Sequence, residues 1–300
     1  MFLFLRKSFA VLAILTVSIF NAAAQTANAT ANPLLLAVAE KKPTPLFFTK
    51  EANIVFPELL KGNEEQSLQY IENFSNKRRD YIIRMFAKGK KMLPKAASIL
   101  KKQQLPEEFK VLLTLESAYN GNVVSTAGAV GFWQIMDEVA KEYGMKYVPQ
   151  LTPAARKKLL KAMGEKEGSL YLKKIDKQKD DRKNFLKSSY IAARYLKDRR
   201  INLDDNWLLM VASYNCGVGN VWSAMEKTGK TNPTFWDIKN LLPAETSAYV
   251  MNFIALNVLF HNYDKFVKKQ LSFYPTTILV QDKFEQNMQE AASEANSGFK

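Results

Sequence analysis

A chain of 300 residues is long enough for one large domain or two modest ones with a sizeable core. Its single cysteine, Cys216, excludes a disulfide within the chain. Together with the single histidine, His261, it argues against a zinc site or a Cys–His nucleophile, which leaves catalysis to carboxylates, hydroxyls, amides and amines. No metal and no cofactor is expected.

The first segment reads as an export signal. Met1 to Lys7 is short and basic, Ser8 to Phe20 is almost unbroken apolar sequence, and Ala22-Ala23-Ala24 offers small residues before a cut ahead of Gln25. The apolar run is too short to span a bilayer comfortably, which favours cleavage of residues 1–24 over anchoring. No cysteine follows it, unlike a lipoprotein. The whole chain carries 43 basic and 29 acidic residues, and loss of Arg6 and Lys7 leaves 41 against 29, a balance of +12. For an exported protein that balance suggests an anionic polymer or an anionic envelope surface as neighbour. Export, and lysines scattered among acids with no basic arm, argue against nucleic acid.

Residues 25–55 begin rich in Ala, Thr, Asn and Pro and read as a flexible lead. Residues 56–95 show helical spacing, with Leu68, Ile71 and Phe74 on one stripe and Tyr81, Ile82, Met85 and Phe86 on another. Leu93-Pro94 interrupts this run. Residues 96–262 hold the principal domain, and 263–300 form a tail with one strand-like run, Thr276 to Val280. Strand signals are otherwise nearly absent, so the fold class is mainly α.

Within the principal domain, Leu105 to Asn120 (LPEEFKVLLTLESAYN) draws the most chemistry. Pro106 with Glu107 and Glu108 reads as a helix start, because proline suits the first position and acids suit the positive end of the helix dipole. Phe109, Leu112 and Leu113 recur at helical spacing, and the next member of that series is Glu116. A carboxylate stands where a leucine is expected. Burial raises its pKa, which suits a group that holds a proton and then donates it; a helix-end acid facing solvent is the alternative. Tyr119-Asn120-Gly121 then reads as a turn. Residues 122–136 are small and glycine-punctuated, then abruptly aromatic. Residues 151–187 are lysine-rich and read as surface helices. Ser188 to Leu196, Trp207 to Val211, Val221 to Met225 and Thr246 to Phe260 read as further helices.

Four stretches in order, LESAYN at 115–120, AGAVGFWQIM at 127–136, ASYNCGVGNV at 212–221 and PAETSAYV at 243–250, resemble the signature blocks of a known family. It is the lytic transglycosylases of the goose-lysozyme-like superfamily, and the likeness is nearest to the membrane-bound lytic murein transglycosylase D group. RRDYIIRMF at 78–86 and LPEEFKVLL at 105–113 resemble that group's approach to its catalytic helix. The resemblance implies a lysozyme-like helical domain, here preceded by a helical N-terminal segment. It implies non-hydrolytic cleavage of the β-1,4 bond between N-acetylmuramic acid and N-acetylglucosamine in peptidoglycan, giving a 1,6-anhydromuramoyl end in the periplasm.

By the same resemblance Glu116 is the sole acid/base, Gln134 and Asn215 hold acetamido sugar, and Tyr214 supports the acid or the cleft wall. Tyr249 is expected to hydrogen-bond Glu116. Ser117 either contacts substrate or caps backbone. Trp133 is either core or sugar-facing, and Gly128 and Gly131 either admit a saccharide or punctuate a loop. Asp137 and Glu138 read as solvated helix acids, and Glu245 as a helix-start acid. Two departures stand out: Cys216 where the family often carries alanine or serine, and a longer, more lysine-rich segment at 146–180. The partner expected is the glycan strand of peptidoglycan. A lysozyme-type hydrolase, or a non-catalytic wall-binding protein of the same fold, are the alternatives.

Overall fold

The computed structural model describes residues 47–279, residue 152 excepted. The expected export signal, most of the lead and the end of the tail lie outside the described residues. Strand β1 (Phe47–Lys50) pairs with β2 (Thr276–Leu279), so the strand-like run at 276 is a strand. Its partner falls in the stretch read as a lead, where no alternating pattern announces a strand.

Between the two strands the chain is helical. A 3-10 turn at Glu58–Leu60 leads to α1 (Glu64–Lys77), α2 (Arg79–Gly89) and α3 (Leu93–Lys102). A second 3-10 turn, Glu107–Val111, runs into α4 (Leu112–Ser117), and α5 (Asp137–Glu142) follows the glycine-punctuated loop. The lysine-rich stretch forms α6 (Pro153–Met163) and α7 (Glu165–Asp176), then a 3-10 turn at Asp181–Lys183. The remaining helices are α8 (Phe185–Asn202), α9 (Trp207–Cys216), α10 (Val218–Glu226), α11 (Phe235–Ile238), α12 (Ala244–His261) and α13 (Tyr263–Val267). Several starts follow from capping chemistry. Asn184 and Asn206 accept bonds from the Lys187 and Leu209 backbone N–H groups, and Thr234 with Asp237 forms a reciprocal capping box.

The core is organised on α12. Apart from Asn252, every residue from Val250 to Leu259 is buried, a helix that is apolar all round rather than on one stripe. Phe253 meets Phe109 from the approach to α4 at 5.9 Å between ring centroids. The N-terminal helices contribute Ile71, Ile82 and Leu100 to this same core. The α6–α7 hairpin differs. No residue of α6 is fully buried, Leu170 and Tyr171 on α7 are exposed, and the two helices cross closely where Gly168 faces Leu160.

Candidate active site

The site begins with the short helix α4. Phe109, Val111, Leu112 and Leu113 are fully buried, so hydrophobic burial fixes the orientation of a helix too short to be stable alone. Pro106 stands just before the first turn, and that turn is 3-10 rather than α. The helix stops at once after Ser117, because Ala118 and Tyr119 take left-handed backbone, φ 46° and 63°. Such a conformation costs each of these residues about 1–2 kcal/mol. It is held by the buried Tyr119 hydroxyl, 2.6 Å from Thr114 Oγ1. Gly89 at the end of α2 lets this ring in, since a Cβ there would lie 2.5 Å from the Tyr119 hydroxyl. Glu116 is thereby placed in the last helical turn, at the negative end of the helix dipole.

The loop at 122–136 closes on this helix. Its backbone doubles back through isolated antiparallel bridges, Val124 with Val130 and Val130 with Ile135. Ser117 is buried and its hydroxyl donates to the Phe132 carbonyl at 2.8 Å, so the hydroxyl holds the loop to the helix. Trp133 is completely buried and donates from Nε1 to Ser189 Oγ at 2.8 Å, which makes it core. Gly131, at φ +85°, admits protein rather than sugar: an added Cβ would stand 2.1 Å from the Arg182 carbonyl oxygen. Gln134 has φ 46°, and its side-chain Nε2 donates to the carbonyls of Gly131 at 2.9 Å and Val123 at 3.2 Å. Its Oε1 is left as the acceptor of that amide.

Beneath the loop lies a charge cluster that the sequence did not announce. Arg182 is fully buried, and its guanidinium donates to Asp180, to Asp137, and to the carbonyls of Ile135 and Val148. The guanidinium holds the Asp180 carboxyl below its usual range, against a burial effect of opposite sign. Asp137 also accepts from the Gln150 backbone N–H at 2.9 Å. Asp137 is therefore a half-buried structural partner and not the solvated acid expected, because an arginine from a distant turn reaches it. Glu138 is exposed, as is Glu245 in the first turn of α12.

Two tyrosines meet Glu116. The Tyr249 hydroxyl, from α12, donates to Glu116 Oε1. Tyr214, from α9, donates to the Trp133 carbonyl at 2.8 Å, which fastens α9 to the loop. Both phenols are held well above the usual range, by burial first and by the nearby Glu116 charge second. Asn215 Oδ1 accepts from the buried Thr246 hydroxyl at 2.7 Å, a link between the end of α9 and the start of α12. That bond orients the Asn215 amide with its N–H donors turned away from Thr246. Thr246 was not singled out as a site residue, although it stands in the PAETSAYV block.

Glu116 keeps part of its residue surface open while its carboxyl is enclosed by protein. Enclosure pushes its pKa up to about 7, with the Tyr249 bond pulling the other way. Among the described residues no second carboxylate acts on it. The arrangement can hold a proton near neutral pH, donate it and take one back.

The transglycosylase SLT domain family matches the chain over residues 95–158 and 148–236. Membrane-bound lytic murein transglycosylase D of Escherichia coli, in strain K12 and in strain O6:H1, is 27% identical over 205 residues. The match covers 67% of this chain and 37% of those relatives, so the chain spans well under half of their length. Among solved structures, an inactive variant of lytic transglycosylase Slt from Pseudomonas aeruginosa aligns with a TM-score of 0.38 and 19% identity, over 62% of this chain and 25% of that one. The 70 kDa soluble lytic transglycosylase of Escherichia coli aligns with a TM-score of 0.39 and 19% identity, over 56% and 24%. Residues 95–236, which hold Glu116, Gln134, Tyr214 and Asn215, match the transglycosylase SLT domain family.

Proposed function

We propose that this protein is an exported lytic transglycosylase of peptidoglycan that works with one carboxyl group, Glu116. The observation that carries the reading is a glutamate carboxyl enclosed by protein and bonded by the Tyr249 hydroxyl, an enclosure that raises its pKa to about 7, with no carboxylate partner acting on it among the described residues. Most glycosidases that use water rely on two carboxylates at set separations. A single one suffices if the substrate supplies its own nucleophile.

Neutral Glu116 donates its proton to the glycosidic oxygen as positive charge develops at the anomeric carbon of N-acetylmuramic acid. The N-acetylglucosamine hydroxyl departs. The resulting Glu116 carboxylate then takes the proton of the muramoyl C6 hydroxyl, whose oxygen bonds to the anomeric carbon and closes the 1,6-anhydro ring. Glu116 ends protonated, ready for another turn. In this reading the Tyr249 hydroxyl steadies the carboxylate between the two transfers. The Asn215 N–H groups and Gln134 Oε1 meet the acetamido carbonyl and N–H of the sugars. Ser117 and Tyr214 act through backbone, holding the loop and α9 around the acid.

The test is a digest of purified sacculi with the wild type and with Glu116→Gln, read by mass spectrometry. Anhydro-muropeptides from the wild type and none from the variant are expected. Products with only hydrated reducing ends would mean a lysozyme-type hydrolase. Intact sacculi that still bind the protein would mean a wall-binding module.

A further inference from the structure

A cavity of about 620 Å³ opens beside the acid, between α1, α2 and α12. It shares a wall with the site: Leu115 and Ala248 line it, and the next residue of each chain segment is Glu116 and Tyr249. Its other walls are aromatic and polar. Tyr70 and Phe74 stack with centroids 6.1 Å apart, and the Tyr70 hydroxyl donates to Asn252 Oδ1 at 2.8 Å. Tyr81, Asn73, Lys77 and Arg78 complete the rim.

Three properties define what fits there. No acid lines the cavity, and it carries two cations. Among the described residues no carboxylate pairs with either Lys77 or Arg78, unlike the basic groups engaged at Lys61, Lys110 and Lys187. Burial raises the pKa of the Tyr70 and Tyr81 phenols, and the positive charge of Arg78, on the same rim, acts on both in the opposite sense. The lining comes from residues 70–81, from Leu115 and from residues 248–256, and only Leu115 lies within the matched family region 95–236.

We infer that this cavity receives the carboxylate-bearing peptide attached to the muramoyl lactyl group, with Arg78 and Lys77 on a peptide carboxylate and Asn252 and Asn73 on its amides. The inference rests on the peptidoglycan reading, since a peptide reaches this cavity only when the adjoining sugar bond lies at Glu116. An anionic, amide-rich chain matches two unpaired cations and two side-chain amides, whereas a bare sugar needs no cation. The volume suits a few residues of extended peptide.

The experiment compares peptide-bearing glycan strands with strands stripped of peptide by an amidase, using the wild type, Arg78→Glu and Arg78→Lys. The expected result is that Arg78→Glu lowers the ratio of kcat/KM on peptide-bearing to stripped strands by about fivefold, through KM, and that Arg78→Lys restores most of it. An unchanged ratio, or an equal loss on both substrates, overturns the inference. Should the wild type cleave neither substrate, the peptidoglycan reading fails separately. Muramyl dipeptide titrated against the labelled protein still decides the cavity: resonance shifts at Asn73 and Asn252, abolished by Arg78→Glu, support it, and their absence in the wild type overturns it.

Discussion

Glu116 and Tyr249 set the pH behaviour. The Glu116 carboxyl has a pKa of about 7 in the folded protein against an ordinary 4.5. Below 4.5 it is protonated in both folded and unfolded chains and contributes nothing to the pH dependence. As pH rises the unfolded chain releases this proton first, so folding is opposed across the window from 4.5 to about 7. The opposition reaches at most about 3 kcal/mol, less for the part that solvent screens. Glu116→Gln is therefore expected to abolish cleavage yet unfold at a higher temperature than wild type at pH 8, with the difference vanishing near pH 4. Equal melting temperatures at both pH values would show that the carboxyl is not enclosed. Tyr249→Phe removes the bond that lowers the Glu116 pKa. The alkaline limb of the pH–rate profile should move up by about one unit while kcat falls about tenfold. A downward move would place the tyrosine in another role.

Among the elements, the loop at 122–136 and the turn at Asp181–Lys183 hold each other. Gly131 and Arg182 meet through backbone, and Arg182 ties two carboxylates and two carbonyls in a buried setting. Breaking such a pair leaves buried acids uncompensated. Arg182→Ala should destabilise by about 3–5 kcal/mol, measured by denaturant titration. Gly131→Ala should cost about 2–5 kcal/mol, from left-handed backbone and from a clash with a carbonyl that has no rotamer to change. Both variants, where folded, should lose activity, because Gln134 and the Tyr214 anchor on Trp133 belong to this loop. Full activity in a folded Gly131→Ala protein would uncouple the loop from the site.

The whole molecule is strongly basic, and part of that charge sits on a hairpin attached to the body by little burial. The two matched segments of the family, 95–158 and 148–236, overlap where α6 begins, and the second spans the whole lysine-rich hairpin. A formal charge of +14, or +12 (41 basic against 29 acidic residues) once residues 1–24 are removed, predicts salt-dependent attachment to an anionic polymer. Retention of the Glu116→Gln protein on sacculi should weaken markedly as ionic strength rises from about 0.05 to about 0.5 M, over which the screening length falls well below 10 Å. Retention indifferent to salt would assign it to sugar contacts alone. Among the described residues no helix is long and apolar enough to cross a membrane.

The mainly helical fold and the helix carrying Glu116 were legible in the sequence, because helical spacing and a carboxylate inside an apolar series are local signals. The blocks at 115–120, 127–136, 212–221 and 243–250 likewise marked Gln134, Tyr214, Asn215 and Tyr249; of these, Tyr249 bonds Glu116 and Tyr214 lies near enough to feel its charge. What the sequence could not decide depends on partners far along the chain. Trp133 is core only because Ser189 receives its N–H, and Gly131 is required only because the Arg182 carbonyl closes on it. Asp137 is a structural acid only because Arg182 arrives from 45 residues away. The strand Phe47–Lys50 exists through pairing with Thr276–Leu279 at the opposite end of the described chain. Periodicity records which residues must leave water, but which polar group satisfies which other, and where a cavity stays open, is settled only when distant segments compete for the same interior.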